Sequence, residues 1–167
     1  ESGLKITYKV IARPEALAVF LFRLSSKLYN KGKIGWFFSM MFWRLNIIFN
    51  ACDIQPVANI GPGFSIAHPM AIVIGPITAG ENFTVYHSVT LARKHDGDQE
   101  AVRPTFGNNV VIYSGACVFG AVKVGDNVSI AANSVVLKDV EANTIVGGIP
   151  AKVIKNNNPP TSEQKAT

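Results

Sequence analysis

Apolar positions along the chain follow two rhythms. From Pro14 to Phe49 the spacing is helical, with Leu17, Leu21, Leu24 and Leu28 on one face and Arg23 and Lys27 on another. Pro14 suits a first helical position, where its missing N–H forfeits no intrahelical bond. Asn30 and Gly32 supply the stop. A second helix is expected over residues 34–49, IGWFFSMMFWRLNIIF. It is apolar nearly all round, which calls for burial on several sides or a place on a membrane surface. Arg44 interrupts it, and it is shorter than the about 20 apolar residues an ordinary span needs. Packing against the rest of the protein is the plainer expectation. In the other case Arg23, Lys27, Lys31, Lys33 and Arg44 would favour anionic headgroups.

From Asp53 onward the period is six. Ile54, Ile60, Ile66 and Ile72 are followed, after one extra residue, by Ala79, Val85 and Leu91. The stretch ARKHDGDQEAVRPT then interrupts. The pattern resumes at Phe106 and runs through Ile112, Val118, Val124, Ile130 and Val136 to Ala142. A second apolar set, Val110, Ala116, Val122, Val128 and Val140, lies four residues after members of the first. Gly or Asn often falls between, where tight corners need positive φ. Neither a helix nor an alternating strand has this period. A three-sided coil does: each side is a short strand with one aliphatic side chain pointing inward, and coils stack so that each pairs its backbone with the next. Three sixes make a coil of about eighteen residues, and residues 54–147 make roughly five coils. The expected organisation is an N-terminal helical segment over 1–50 and a β-helix over 51–155 with an inserted loop at 92–105. A flexible tail over 156–167 follows. Spacing leaves the handedness open, and general crossover rules favour a right-handed path.

Composition narrows this picture only modestly. A chain of 167 residues fits one domain with a small appendage, and an apolar fraction of 48% is too high for disorder. The net charge of +5 comes without a Lys/Arg-rich run or a zinc-finger spacing, so nucleic acid is not indicated. It suits an anionic small ligand or an anionic membrane surface. Cys52 and Cys117 have no metal-ligand spacing and lie in apolar surroundings. They read as buried free thiols in a reducing compartment, which makes a cytoplasmic location the expectation. No signal peptide with a cleavage site is visible, and an opening on Glu1 fits a truncation or a tag scar.

The run DIQPVANIGPGFSIAHPMAIVIG and the ending VVLKDVEANTIVGGIPAKVIK resemble the hexapeptide-repeat acyltransferases, in their serine acetyltransferase-like branch. The resemblance covers about residues 15–155. It implies a left-handed parallel β-helix, a homotrimer with active sites between neighbouring prisms, and acetyl-CoA as co-substrate without a metal. The helical prelude is shorter than the N-terminal domain of serine acetyltransferases proper. It looks more like the short relatives found with capsule, colanic-acid and exopolysaccharide genes, which acetylate sugars.

Transfer of acetyl from a thioester to an alcohol needs a base, donors for the oxyanion, and both substrates held together. A base working near pH 7 is most naturally a histidine, and the chain has His68, His87 and His95. The resemblance makes His68 the catalytic base and pairs it with Asp53, fifteen residues earlier. The carboxylate would orient the imidazole and stabilise its protonated form. A plainer reading leaves Asp53 as an entry cap and His68 as a surface corner residue. His95, in the interrupting loop beside Arg93, Lys94, Asp96 and Asp98, is the second candidate base. His87 and Arg103 are candidates for the substrate cleft. Ser114 and Ala132, eighteen residues apart, should stack in adjacent coils. With Lys138, Lys152 and Lys155 they match positions that in the family contact the coenzyme.

Departures from the family bear on the acceptor. Serine acetyltransferases carry an acidic residue before the catalytic His, where this chain has Ala67. They carry an Arg-His pair before the following proline, where this chain has Val102 and Arg103 ahead of Pro104. A serine carboxylate wants a guanidinium fork and its ammonium wants a carboxylate. The first expectation is therefore an O-acetyltransferase acting on a hydroxyl of a sugar or surface-polysaccharide unit by direct attack, without an acyl-enzyme. A lipid-linked acceptor would give the aromatic helices a purpose at the inner face of the membrane. The alternatives are a serine O-acetyltransferase of cysteine biosynthesis and a non-catalytic β-helix binding module.

Overall fold

The structure is a computed structural model, and it describes residues 13–93 and 103–156. Among the described residues two helices, α1 (Pro14–Tyr29) and α2 (Gly32–Asn50), lead into fifteen short strands. Strands β1 (Cys52–Ile54), β2 (Asn59–Ile60) and β3 (Ser65–Ala67) make the first coil. The second holds β4 (Ile72–Ile74), β5 (Thr78–Ala79) and β6 (Thr84–Tyr86), and the third β7 (Thr90–Ala92), β8 (Thr105–Phe106) and β9 (Val111–Ile112). The fourth holds β10 (Cys117–Phe119), β11 (Lys123–Val124) and β12 (Ser129–Ile130). The fifth runs from β13 (Val135–Val136) through a bridge at Val140 to β14 (Thr144–Gly148), and β15 (Ala151–Asn156) folds back antiparallel.

Every third strand shares a face. The first face is β1-β4-β7-β10-β13, the second is β2-β5-β8-β11, and the third is β3-β6-β9-β12-β14-β15. Apart from β15, all neighbours on a face are parallel, as stacked coils require. Just beyond the loop the advance is eighteen residues on each face, as in Cys117↔Val135, Thr105↔Lys123 and Val111↔Ser129, while the first face crosses the loop between the third and fourth coils and advances by 27, as in Thr90↔Cys117. Between the second and third coils the second and third faces advance by 27, as in Thr78↔Thr105 and Thr84↔Val111. The extra residues enter after β7, where the sequence predicts the loop.

The core is a set of axial ladders. Ile54, Ile74, Leu91, Val118 and Val136 line one face, and Ile66, Val85, Ile112, Ile130 and Val146 line another, all buried. Phe64, Phe83 and Phe106 add an aromatic stack, with ring centroids 6.1 and 5.1 Å apart. The predicted second set, Val110, Ala116, Val122, Val128 and Val140, is likewise buried. One corner column is built of asparagine. Asn82, Asn109, Asn127 and Asn143 all have φ between +54° and +59°. Each side-chain amide donates to the next carbonyl up the column, at 2.9, 2.9 and 2.8 Å. Left-handed backbone is unfavourable for most L-residues by about 1–2 kcal/mol, and Asn tolerates it best after Gly. In the first coil the matching corner is Gly63, φ +75°, where a Cβ would lie 2.3 Å from Asn82 Oδ1.

The helices begin and end close to the predicted positions, but their packing differs from the plainer expectation. The buried residues of α2 are Gly35, Ser39, Asn46 and Asn50, while its large apolar side chains face outward. Ser25 Oγ donates to Ser39 O at 2.9 Å and Ser39 Oγ donates to Ser25 O at 2.8 Å. Asn46 Nδ2 donates to Ala18 O at 3.0 Å. Arg23 also departs from expectation. Its guanidinium donates to the carbonyls of Ile60 and Gly61 at the edge of the prism and lies over Phe22 and Phe64. It serves the fold and not a headgroup. Burial draws its pKa below the ordinary arginine value.

Candidate active site

His68 follows β3 at the corner where the chain turns from the third face to the first, and it holds φ +56°. The strand register continues into this corner. Ala67 pairs with Tyr86, so His87 sits one coil above His68. Their rings are 6.1 Å apart at 66°, edge to face. The next steps in the same column are Ser114 and Ala132, fixed by Val85↔Ile112 and Ile112↔Ile130. Backbone bonds tie the column together: Gly115 N donates to His87 O at 3.0 Å and Asn133 N to Ser114 O at 2.9 Å. Beside it Tyr86 and Tyr113 stack at 5.1 Å. His68 is exposed and His87 half-buried, with Nδ1 of His87 buried and unpartnered. One corner thus presents an accessible imidazole, a second imidazole whose ring nitrogen has spare hydrogen-bonding capacity, and a hydroxyl.

Asp53 is the middle residue of β1, opposite Val73 of β4. Its neighbours Cys52 and Ile54 point into the core, so alternation sends its carboxylate outward from the first face. That carboxylate accepts a hydrogen bond from Trp43 Nε1 at 2.9 Å. Among the described residues its side-chain partner is Trp43, and no Asp53–His68 hydrogen bond is formed. Trp43 escaped the sequence reading. Its one visible signal was an indole N–H ten residues before Asp53, and Trp36 in the same helix offers another.

The remaining candidates spread over the prism. Arg103 is exposed and stands just before buried Pro104 and β8, at the corner between the first and second faces. It lies across the first face from His68 and does not join it within one chain. Lys138 is exposed beyond β13, and Lys152 and Lys155 are exposed on β15. His95 lies outside the described residues. Cys52 is buried and donates to Asn50 O at 3.2 Å, and burial pushes its thiol up to about 12. Cys117 is only half-buried, because its place in β10 turns it outward while Val118 fills the core.

No family model matches the chain. It is 38% identical over 142 residues to the serine acetyltransferase of Staphylococcus aureus, covering 84% of this chain and 65% of that protein. The serine acetyltransferase of Brucella abortus in complex with coenzyme A superposes with a TM-score of 0.80 at 30% identity, over 87% of this chain and 57% of that one. The Neisseria gonorrhoeae enzyme in complex with serine gives 0.79 at 27% identity, over 89% and 60%. The chain therefore spans just under two thirds of the curated relatives it matches. Its fold is that of the hexapeptide-repeat acyltransferases, a left-handed parallel β-helix preceded, among the described residues, by two helices. Within that class the identity above makes it a homologue of the serine acetyltransferases.

Proposed function

We propose that the chain is an O-acetyltransferase that moves acetyl from acetyl-CoA to a hydroxyl, and that L-serine is its acceptor. The observation that carries this is the 38% identity to serine acetyltransferases across 84% of the chain, which spans the His68 corner. His68 takes the proton of the acceptor hydroxyl as the oxygen attacks the thioester carbonyl. The tetrahedral intermediate collapses, the carbon–sulfur bond breaks, and coenzyme A leaves as its thiol after receiving the proton from the imidazolium. No acyl-enzyme is needed. Asp53, held by Trp43, supplies negative charge that favours the imidazolium. Ser114 and Ala132 line the coenzyme's path, and the exposed Lys138, Lys152 and Lys155 meet its phosphates. The Brucella relative solved with coenzyme A supports this co-substrate.

A sugar hydroxyl is the second reading, favoured by Ala67 in place of a carboxylate beside His68. The chain's own residues rank the sugar first; the relatives reverse that order. His68 and Arg103 stand at opposite corners of the first face, so a site needing both is completed by a neighbouring copy. That supports a homotrimer with sites between prisms, three times the 18.0 kDa chain by light scattering. The test is thiol release from acetyl-CoA with L-serine and, separately, with a de-O-acetylated surface polysaccharide. Turnover on serine establishes the proposal. Turnover on the glycan alone moves the acceptor to a sugar, and coenzyme binding without turnover on either makes the prism a binding module.

A further inference from the structure

Helix α2 is built inside out for a helix in water, although α1 buries Leu21 and Phe22 in the ordinary way. The seam between the two holds Ser25, Ser39, Asn46 and Gly35, and the seam's hydroxyls and amides bond across it. The outer side of α2 carries Ile34, Ile48 and Phe49, exposed by 76%, 71% and 69%, together with Phe37, Phe38 and Met41. Burying small polar residues while exposing large apolar ones is the arrangement helices adopt in hydrocarbon. There the small residues let backbones approach and the polar side chains bind the pair. The outward residues are also ordered. Relative to Ile34 they fall three, four, seven, fourteen and fifteen positions on, which is one continuous helical stripe; Trp36, exposed by 52%, stands two positions on and lies outside it.

Charge identifies what the stripe meets. Lys33 and Arg44 are exposed and eleven residues apart, about three turns, so they flank the stripe on one side. Lys27 and Lys31 are exposed at the turn of the hairpin. No acidic residue lies between Glu15 and Asp53. Two copies pressed stripe to stripe in antiparallel order would line these cations along one edge, with no carboxylate on α2 to meet them. An anionic headgroup layer offers the complement, with hydrocarbon beneath it for the stripe. Among the described residues no helix is long and apolar enough to cross a membrane, so α2 would lie in the plane of the interface. Trp43, nearly opposite the stripe, still reaches Asp53.

We infer that α2 docks the protein, stripe down, on an anionic lipid surface. The test is sedimentation of the full chain with vesicles of phosphatidylcholine alone and with about a third phosphatidylglycerol, beside light scattering without lipid. Binding to the anionic vesicles is expected, at least about tenfold weaker on the neutral ones. Two double variants, Phe37→Ser with Ile48→Ser and Lys33→Gln with Arg44→Gln, should each lose about tenfold while melting as the parent does. The inference is overturned if the parent stays in the supernatant with both vesicle types. It is equally overturned if the Phe37→Ser/Ile48→Ser variant lowers the particle mass without lipid, which would give the stripe to a second copy.

Discussion

The prism and the helix pair obey opposite rules with the same residue types. In the prism each strand turns an aliphatic side chain inward and leaves polar groups at the corners, so the apolar core closes within one chain. In the helix pair the polar seam closes within the chain and the apolar face does not. Hydrophobicity alone therefore does not say which side of an element is inside. That is decided by what else the element can reach, and α2 reaches α1 through its smallest side chains.

The sharpest way to test the contrast is through chemistry, since all of it is assigned to the prism. His68→Ala should lower kcat in the thiol-release assay by at least about 100-fold, while thermal melting stays unchanged because the side chain is exposed. Full activity in that variant would take the base away from this corner. Next comes the core itself. Ile112→Ala should lose about 2–5 kcal/mol in urea unfolding, whereas Phe37→Ala on α2 should stay within about 0.5 kcal/mol. Equal losses at the two sites would erase the distinction between a closed and an open apolar face.

Smaller effects probe the corner and the joint between the two regions. Asn109→Ala breaks two ladder bonds at a residue with φ +55°, and about 1–3 kcal/mol of stability should go with it. Asn109→Gly, which suits the backbone but not the ladder, should lose less. Trp43→Phe removes the indole donor to Asp53 and keeps most of the ring. A fall in kcat of a few-fold to about tenfold is expected, with a displaced pH profile and an unchanged melting temperature. An unmoved profile would reduce Trp43 to packing. The least effect concerns thiols. With Cys52 buried and its thiol raised to about 12, a thiol reagent at pH 8 should modify Cys117 alone in the folded protein.

The prism was legible because its period has one cause. Three sides per coil and one inward residue per side leave a mark every six residues, and Ile54 through Val136 carry it. One corner column, Gly63, Asn82, Asn109, Asn127 and Asn143, was legible because Gly and Asn accept positive φ most readily, whereas the corners at His68, Ala71 and Ser88 hold positive φ without that mark. His68 and Asp53 were visible only through a motif, and the bond from Trp43 to Asp53 was not visible at all. A single indole N–H carries no sign of its direction. Arg23 misled because a cation on a helix face looks the same whether it points to solvent or to backbone carbonyls. The orientation of α2 was hidden by its own uniformity. A helix apolar nearly all round has no obvious inner side, although Gly35, Ser39, Asn46 and Asn50 do share one face.

A stack of coils is a lattice in one dimension, and nothing in its repeat says where to stop. Each added coil would offer the same open backbone edge to the next, including one from another molecule. This chain terminates the series chemically. At the first coil Arg23 occupies the edge carbonyls of Ile60 and Gly61. At the last, β15 reverses direction, so the outermost strand runs against the repeat and carries Lys152 and Lys155. The length of the prism is thus a property of its two ends, and at the first of them Arg23 occupies two carbonyls that a further coil would otherwise take.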